Sequence, residues 1–379
     1  MKSGGDLVHL LLVPNFSTLP FSGVIEAMRL ANMTSRKQLY QWVLISRDGQ
    51  PVQASNGIRI HVDAALHQIQ QIDNLVVCSG LDGHHYQDKP TLAWIRKWAR
   101  SGAHVGAVCT GAHILARAGI LRGYRCTIHW ANLDSFSESF PDLELYSELF
   151  QIDRDRFTCA GGIASIDMML HEIILRHGSE VGAQICDQLM HERIRQGHDN
   201  QRIPLKARFR ISHPKLLGAV QEMERNSEFS LTRDEIANRV GLSRRQMERL
   251  FRQYLGTSPA HYYRMVRLQR ARLLLEQTAM TITEIAFASG FNSVSHFSKC
   301  YRSLYQQTPR SERRSQQDGT HLDGAHLDGA HLDGTHQDGS HHFDPAAKSP
   351  DHRGKASSDL VIFPGAAPDA KQIAPSPQS

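Results

Sequence analysis

Two stretches of this chain, 49 residues apart, carry the same order of helix-start and turn signals, and no other feature restricts the fold as tightly. Each opens on a threonine three residues before a glutamate, Thr232-x-x-Glu235 and Thr281-x-x-Glu284. In that spacing each side chain can take up a backbone N–H that the first helical turn leaves unbonded. A glycine follows in both, Gly241 and Gly290, suited to a tight left-handed turn, and then a second helix start, Ser243-x-x-Gln246 in one stretch and Ser293 in the other. Ile236, Ala237, Val240, Met247, Leu250 and Phe251 fall on inner faces of the first pair; Ile282, Ile285, Ala286, Phe297 and Tyr301 do so in the second. Leu242 and Phe291 are equivalent core positions. Ser258-Pro259 starts a long intervening helix reaching about Gln277. The spacing therefore predicts two helix-turn-helix units held apart by a stiff helix.

The outward faces of the second helices carry Arg244, Arg245, Glu248, Arg249 and Arg252 in one unit, and Val294, Ser295, Lys299 and Arg302 in the other. Residues 202–314 hold 21 Lys and Arg against 9 Asp and Glu, a net +12, which leaves −7 for the rest of a chain of net +5. A basic segment inside an otherwise acidic chain points to a polyanionic partner for that segment alone. Two such helices presented on one face would enter successive major grooves of a duplex, about 34 Å apart. Over residues 215–314 the sequences LTRDEIANRVGLSRRQMERLFRQYLGTSPAHYY and ITEIAFASGFNSVSHFSKCYRSLYQQTP, closed by Thr308-Pro309, resemble the AraC-family DNA-binding domain. By that resemblance Arg245, Glu248 and Arg249, with Val294, Ser295 and Lys299, align with base-reading positions. Val294 stands where the family has a polar residue and offers a base only apolar contact.

Residues 7–200 alternate short apolar runs with amphipathic stretches, the pattern of a mostly parallel sheet with crossover helices. Leu7–Val13, Val43–Ser46, Leu75–Cys78 and His104–Val108 read as strands; Phe21–Asn32, Pro90–Ser101 and Thr110–Ala118 read as helices. Ser55-Asn56-Gly57 and Asp153-Arg154-Asp155 carry turn chemistry and suggest hairpins. Within Gly106-Ala-Val-Cys109-Thr-Gly111 a strand runs straight into a helix, which would set Cys109 over helix N-terminal N–H groups able to lower its pKa. His129, 20 residues on, is a candidate base if the two side chains come within hydrogen-bond reach. AVCTGAHILARAGILRGYRCTIHW is similar to the class I glutamine-amidotransferase-like fold of the PfpI type, a flavodoxin-like architecture. Joined to an AraC-type segment, it resembles the GlxA-like regulators, including the glycine-betaine-, carnitine- and arginine-responsive group. Glu192-Arg193-Ile194-Arg195 and Gln201-Arg202-Ile203-Pro204-Leu205 resemble the join in that group.

The resemblance departs where catalysis would need an acid: Pro20 or Leu81-Asp82-Gly83 stands in its place, and Thr110 replaces a histidine. Cys109 and His129 are accordingly vestigial candidates, and the expected role is a ligand pocket at the carboxyl edge of the sheet. Its expected residues are Phe16, Cys109, Thr110, His129, Trp130, Gly161 and Gly162, with aromatic faces for a quaternary ammonium and glycine N–H groups for a carboxylate. The alternative, a Cys-dependent amidase or hydrolase using Cys109 and His129, stays open at this point.

The expected division is 1–200 sensing, 201–214 linker, 215–314 DNA binding, and 315–379 a disordered tail, where His recurs at 321, 326, 331, 336 and 341 amid Asp-Gly repeats without an apolar face. Metal storage by those histidines is a third reading. The six cysteines form no C-x-x-C pair, which fits a reducing compartment and gives no zinc site. With neither a signal pattern nor a long apolar run, the chain is expected in the cytoplasm, off the membrane and without a cofactor. The expected partners are operator DNA, a small-molecule effector, RNA polymerase and a second copy in a homodimer, in transcription activation of a catabolic operon.

Overall fold

The computed structural model describes residues 5–314, which lie within one compact unit. The expected tail falls outside the described residues. β1 (Asp6–Leu12), β2 (Tyr40–Ser46), β5 (Ala64–Ala65), β6 (Asn74–Cys78), β7 (His104–Val108), β10 (Phe150–Asp153) and β11 (Arg156–Cys159) form a sheet in the order β10-β11-β7-β6-β1-β2-β5. Only β10 runs antiparallel, closing a hairpin whose turn residue Arg154 has φ +57°. A small second hairpin pairs β3 (Val52–Gln53) with β4 (Arg59–Ile60) around Gly57, and β8 (Arg125–Cys126) pairs with β9 (Glu144–Leu145).

The central strands are apolar throughout because both faces are covered. Leu10, Leu12, Val76, Cys78 and Val108 point toward α1 (Thr18–Ser35), α5 (Ala164–His177) and α6 (Ser179–Leu189). Their neighbours Leu11, Val13, Leu75, Val77, Val105 and Ala107 point toward α2 (Lys89–Arg100) and α3 (Gly111–Arg117). Fully buried Asp167 of α5 then fastens the exit from this half. Its carboxylate takes His191 Nε2 at 2.9 Å, the Arg195 backbone N–H at 2.9 Å and Arg195 Nε at 2.9 Å.

From Leu205 the chain is helical: α7 (Leu205–Phe209), α8 (Pro214–Arg225), α9 (Arg233–Arg239), α10 (Arg244–Leu255), α11 (Pro259–Gln277), α12 (Ile282–Ala288) and α13 (Val294–Tyr305). The segment expected as a plain linker contains α7 and is well anchored: Gln201 Nε2 donates to Thr127 Oγ1, Ile128 O and Glu148 O at 2.8–3.1 Å. Among the described residues no helix is long and apolar enough to cross a membrane.

Candidate functional site

The first reading unit is built by reciprocal caps. Thr232 Oγ1 accepts from Glu235 N at 3.2 Å while Glu235 takes Thr232 N at 2.7 Å, and Ser243 with Gln246 repeats the exchange at 3.2 and 2.8 Å. Gly241 lies between the two helices at φ +64°, the left-handed conformation that favours glycine. With Ile236, Ala237, Met247, Leu250 and Phe251 buried, α10 is left with Arg244, Arg245, Arg249 and Arg252 exposed. Glu248, also on α10, is half-buried and paired with Arg233 of α9 at 3.6 Å.

The second unit repeats the design with one difference. Thr281 and Glu284 cap α12 reciprocally at 3.2 and 2.7 Å, whereas Ser293 caps α13 alone, accepting from His296 N at 3.4 Å. Ser295, Lys299 and Arg302 are exposed; Val294 is half-buried against the Phe291, Phe297 and Tyr301 core, so part of its surface is spent on packing. Exposed His296, absent from the expected set, shares this face and lies 3.4 Å from Cys300 Sγ through Nε2. A histidine at a helical i, i+4 spacing carries no distinctive pattern, which is why sequence alone passed over it.

In the α/β half the elbow is present. Cys109 has φ +60°, and Gly161 packs so close that a Cβ there would sit 2.9 Å from Cys109 Cβ. Neighbouring loops gather beside it: Asn15 Nδ2 donates to Asp82 Oδ2 at 2.6 Å, Thr110 Oγ1 donates to Gly80 O, and the Thr110 and Ser79 hydroxyl oxygens lie 3.1 Å apart. Gly161 N is taken up by Cys159 Sγ at 3.4 Å, while Gly162, at φ +58°, has open space beside it.

Three expectations for this site need correction. The Cys109 thiol is pushed up to about 11, not lowered, because burial outweighs the one favourable N–H of Thr110. Phe16 is fully buried, edge-on to Phe21 with centroids 5.3 Å apart, and presents no open face. Trp130 already has a cation over its ring, the guanidinium of Arg202 at 4.8 Å.

His129 does not complete a dyad: its Nδ1 accepts from Ala131 N at 3.3 Å, and among the described residues no hydrogen bond joins it to Cys109. Burial lowers its pKa. Cavities of about 340 Å³, walled in part by Arg96, Arg100, Arg122 and Arg156, and about 140 Å³, near Asp6, Tyr40 and Arg176, lie where the strands begin. Neither touches any of the seven expected ligand residues. The Cys109 shift gives a direct check: alkylation by iodoacetamide, followed by mass spectrometry, should be slow at pH 7 and rise about tenfold per pH unit toward pH 11. A rate already at its plateau at pH 7 would contradict the half-buried, protonated thiol.

The residues beyond Trp130 join the two halves. Between Trp130 and Ser139, a single 3-10 turn, Trp130–Asn132, leads into α4 (Leu133–Ser139). Arg270 of α11 pairs with Asp134 at 2.6 Å and Glu138 at 3.3 Å, and Ser135 Oγ donates to Gln277 Oε1.

Comparison with known proteins fits this geometry. A Helix-turn-helix domain model matches residues 236–315 and a DJ-1/PfpI family model matches residues 8–173. The chain is 44% identical to the HTH-type transcriptional regulator GbdR of Pseudomonas aeruginosa, over 82% of this chain and 85% of that protein. It is 41% identical to the regulator CdhR of the same organism, over 80% of this chain and 90% of that one. To the regulator ArgR, also of Pseudomonas aeruginosa, identity is 39% over 84% and 96%. With capped, basic reading helices and an elbow-bearing sheet in one chain, this protein belongs to the GlxA-like family of HTH-type transcriptional regulators, in which a DJ-1/PfpI region precedes an AraC-type region.

Proposed function

We propose that the chain regulates transcription by laying α10 and α13 into successive major grooves of operator DNA while residues 1–200 sense a small molecule. Residues 201–214 would serve as the connection, and 215–314 as the DNA-binding domain. The observation that carries this reading is the pair of capped units leaving Arg244, Arg245, Arg249 and Arg252 on one helix, and Ser295, Lys299 and Arg302 on the other, exposed over buried cores. Arginine suits guanine edges bidentately, and lysine or serine suits phosphates.

The effector site we assign to the loops around Cys109, Thr110, Gly161 and Gly162, with His129 and Trp130 at its margin. A Cβ at Gly162 would meet nothing within 4 Å, so the space on that side of the glycine is open. A quaternary ammonium would have to compete with Arg202 for Trp130. The effector class, a small zwitterionic nitrogen compound, rests on the resemblance to the glycine-betaine-, carnitine- and arginine-responsive group. Effector binding would act by favouring one of two arrangements, and the α4–α11 contact supplies a physical route from the elbow side to the helix carrying both reading units. Action as an activator of a catabolic operon through RNA polymerase, as a cytoplasmic homodimer, completes the proposal.

The Cys-dependent hydrolase is the weaker reading, since the thiol is held protonated and unpaired with His129. Cys109→Ala is expected to leave operator binding within about threefold in a mobility-shift titration, a change of less than about 1 kcal/mol. An enzyme would instead lose turnover completely in that variant.

A further inference from the structure

Two reading helices recognise a bipartite site only if their separation is fixed, and α11 alone does not fix it, because each unit must also be held in orientation against that helix. Where the two units meet, Arg267 of α11 is bonded in three directions. Its Nε donates to Ser289 O at 3.0 Å and its Nη2 to Gly290 O, both in the turn of the second unit. Its Nη1 donates to Ser230 Oγ at 3.1 Å, in the strap that leads into the first unit. The guanidinium also lies over Phe291, 4.3 Å from the ring centroid.

The same strap is pinned a second time. Tyr263 OH, one helical turn earlier on α11, accepts from Leu231 N at 3.1 Å and donates to Asn226 O. Gly290 then seats against the strap so closely that a Cβ would meet Glu228 O at 2.8 Å and Ser227 O at 3.1 Å. The turn of one unit is thus pressed onto the approach to the other, with Arg267 bonded to both. Neither Arg267 nor Tyr263 lies on the outward faces of α10 or α13.

We propose that Arg267, supported by Tyr263, is a positioning residue that sets the half-site spacing this protein accepts, without itself touching a base. The inference rests on the DNA-binding reading above. One inserted base pair moves the second half-site about 3.4 Å along the duplex and about 35° around it. A rigid junction cannot follow such a displacement. A loosened one can, at the expense of a lower effective concentration of the second unit at its correctly spaced site.

The test uses the full chain. Duplexes enriched by the wild-type protein from a random pool are remade with zero, one or two base pairs inserted between the half-sites, and with the first half-site alone. The wild type should lose more than about tenfold in affinity per inserted base pair. Arg267→Gln should lose less than about threefold per insertion, bind the uninserted site more weakly, and keep its affinity for the lone half-site within about twofold. Tyr263→Phe, which keeps the ring and removes only the hydroxyl that pins the strap, should relax the spacing profile in the same direction. A merely structural role would weaken all the duplexes alike, so an unchanged spacing profile in both variants overturns the proposal. Failure of the wild type to enrich any duplex would instead overturn the DNA-binding reading, and this proposal with it.

Discussion

Asp167→Ala is expected to remove about 3–5 kcal/mol of folding stability, a large part of what a domain of ordinary size possesses. The carboxylate is fully buried and is the shared partner of His191, the Arg195 guanidinium and the Arg195 backbone N–H. Its removal strands all three donors. Arg195 is about a quarter exposed and can turn partly to water, which places the expected loss toward the lower end of that range. The same bonds hold the segment from which the chain passes to Gln201, whose amide is bonded against Thr127, Ile128 and Glu148. Loss of the anchor should therefore also hasten proteolysis between residues 191 and 205. Urea unfolding followed by circular dichroism measures the effect, and a loss below about 1 kcal/mol would show that these bonds are easily replaced.

The second large effect is on DNA. Alanine at Arg245 or at Arg249 should each weaken operator binding about 5- to 150-fold, the discrimination of a bidentate contact to a guanine edge. Both side chains are exposed on α10, so neither change should disturb the Met247, Leu250 and Phe251 core. Arg252→Ala, one turn further from the helix start, should weaken binding alike on operator and random DNA, as loss of a phosphate contact does. Titration of each variant against both duplexes separates the roles. Equal weakening on both duplexes by all three variants would remove base reading from α10.

Legibility in the sequence followed the range of the interactions. Local signals were plain. The capping pairs Thr232/Glu235, Ser243/Gln246 and Thr281/Glu284, the Ser258 cap of α11 and the hairpin turns at Gly57 and Arg154 each lie within a few residues of what they bond. The four neighbouring strands β7, β6, β1 and β2 were also visible as apolar runs, because both their faces are covered, whereas the short strands β5, β8 and β9 left no such run. The elbow was recognisable from its small residues, but the sign of the Cys109 shift was not: a helix N-terminus argues for a lower value, and only packing shows that burial wins. Trp130 was read as an open face for an effector cation, and nothing local showed that Arg202, 72 residues further along the chain, covers it. Asp167 with Arg195, Arg267 with Ser230 and Arg270 with Asp134 went unseen for the same reason, since each joins residues 28 to 136 positions apart without any repeating pattern.

The most direct test of the central claim is the affinity of the full chain for a duplex from upstream of its own gene, measured across a salt series together with a protection footprint. Tight, sequence-selective binding is expected, falling on the order of a thousandfold between about 50 and 200 mM salt, with protection of two successive major grooves on one face. Binding no tighter than to random DNA, or protection of a single groove, would contradict that claim.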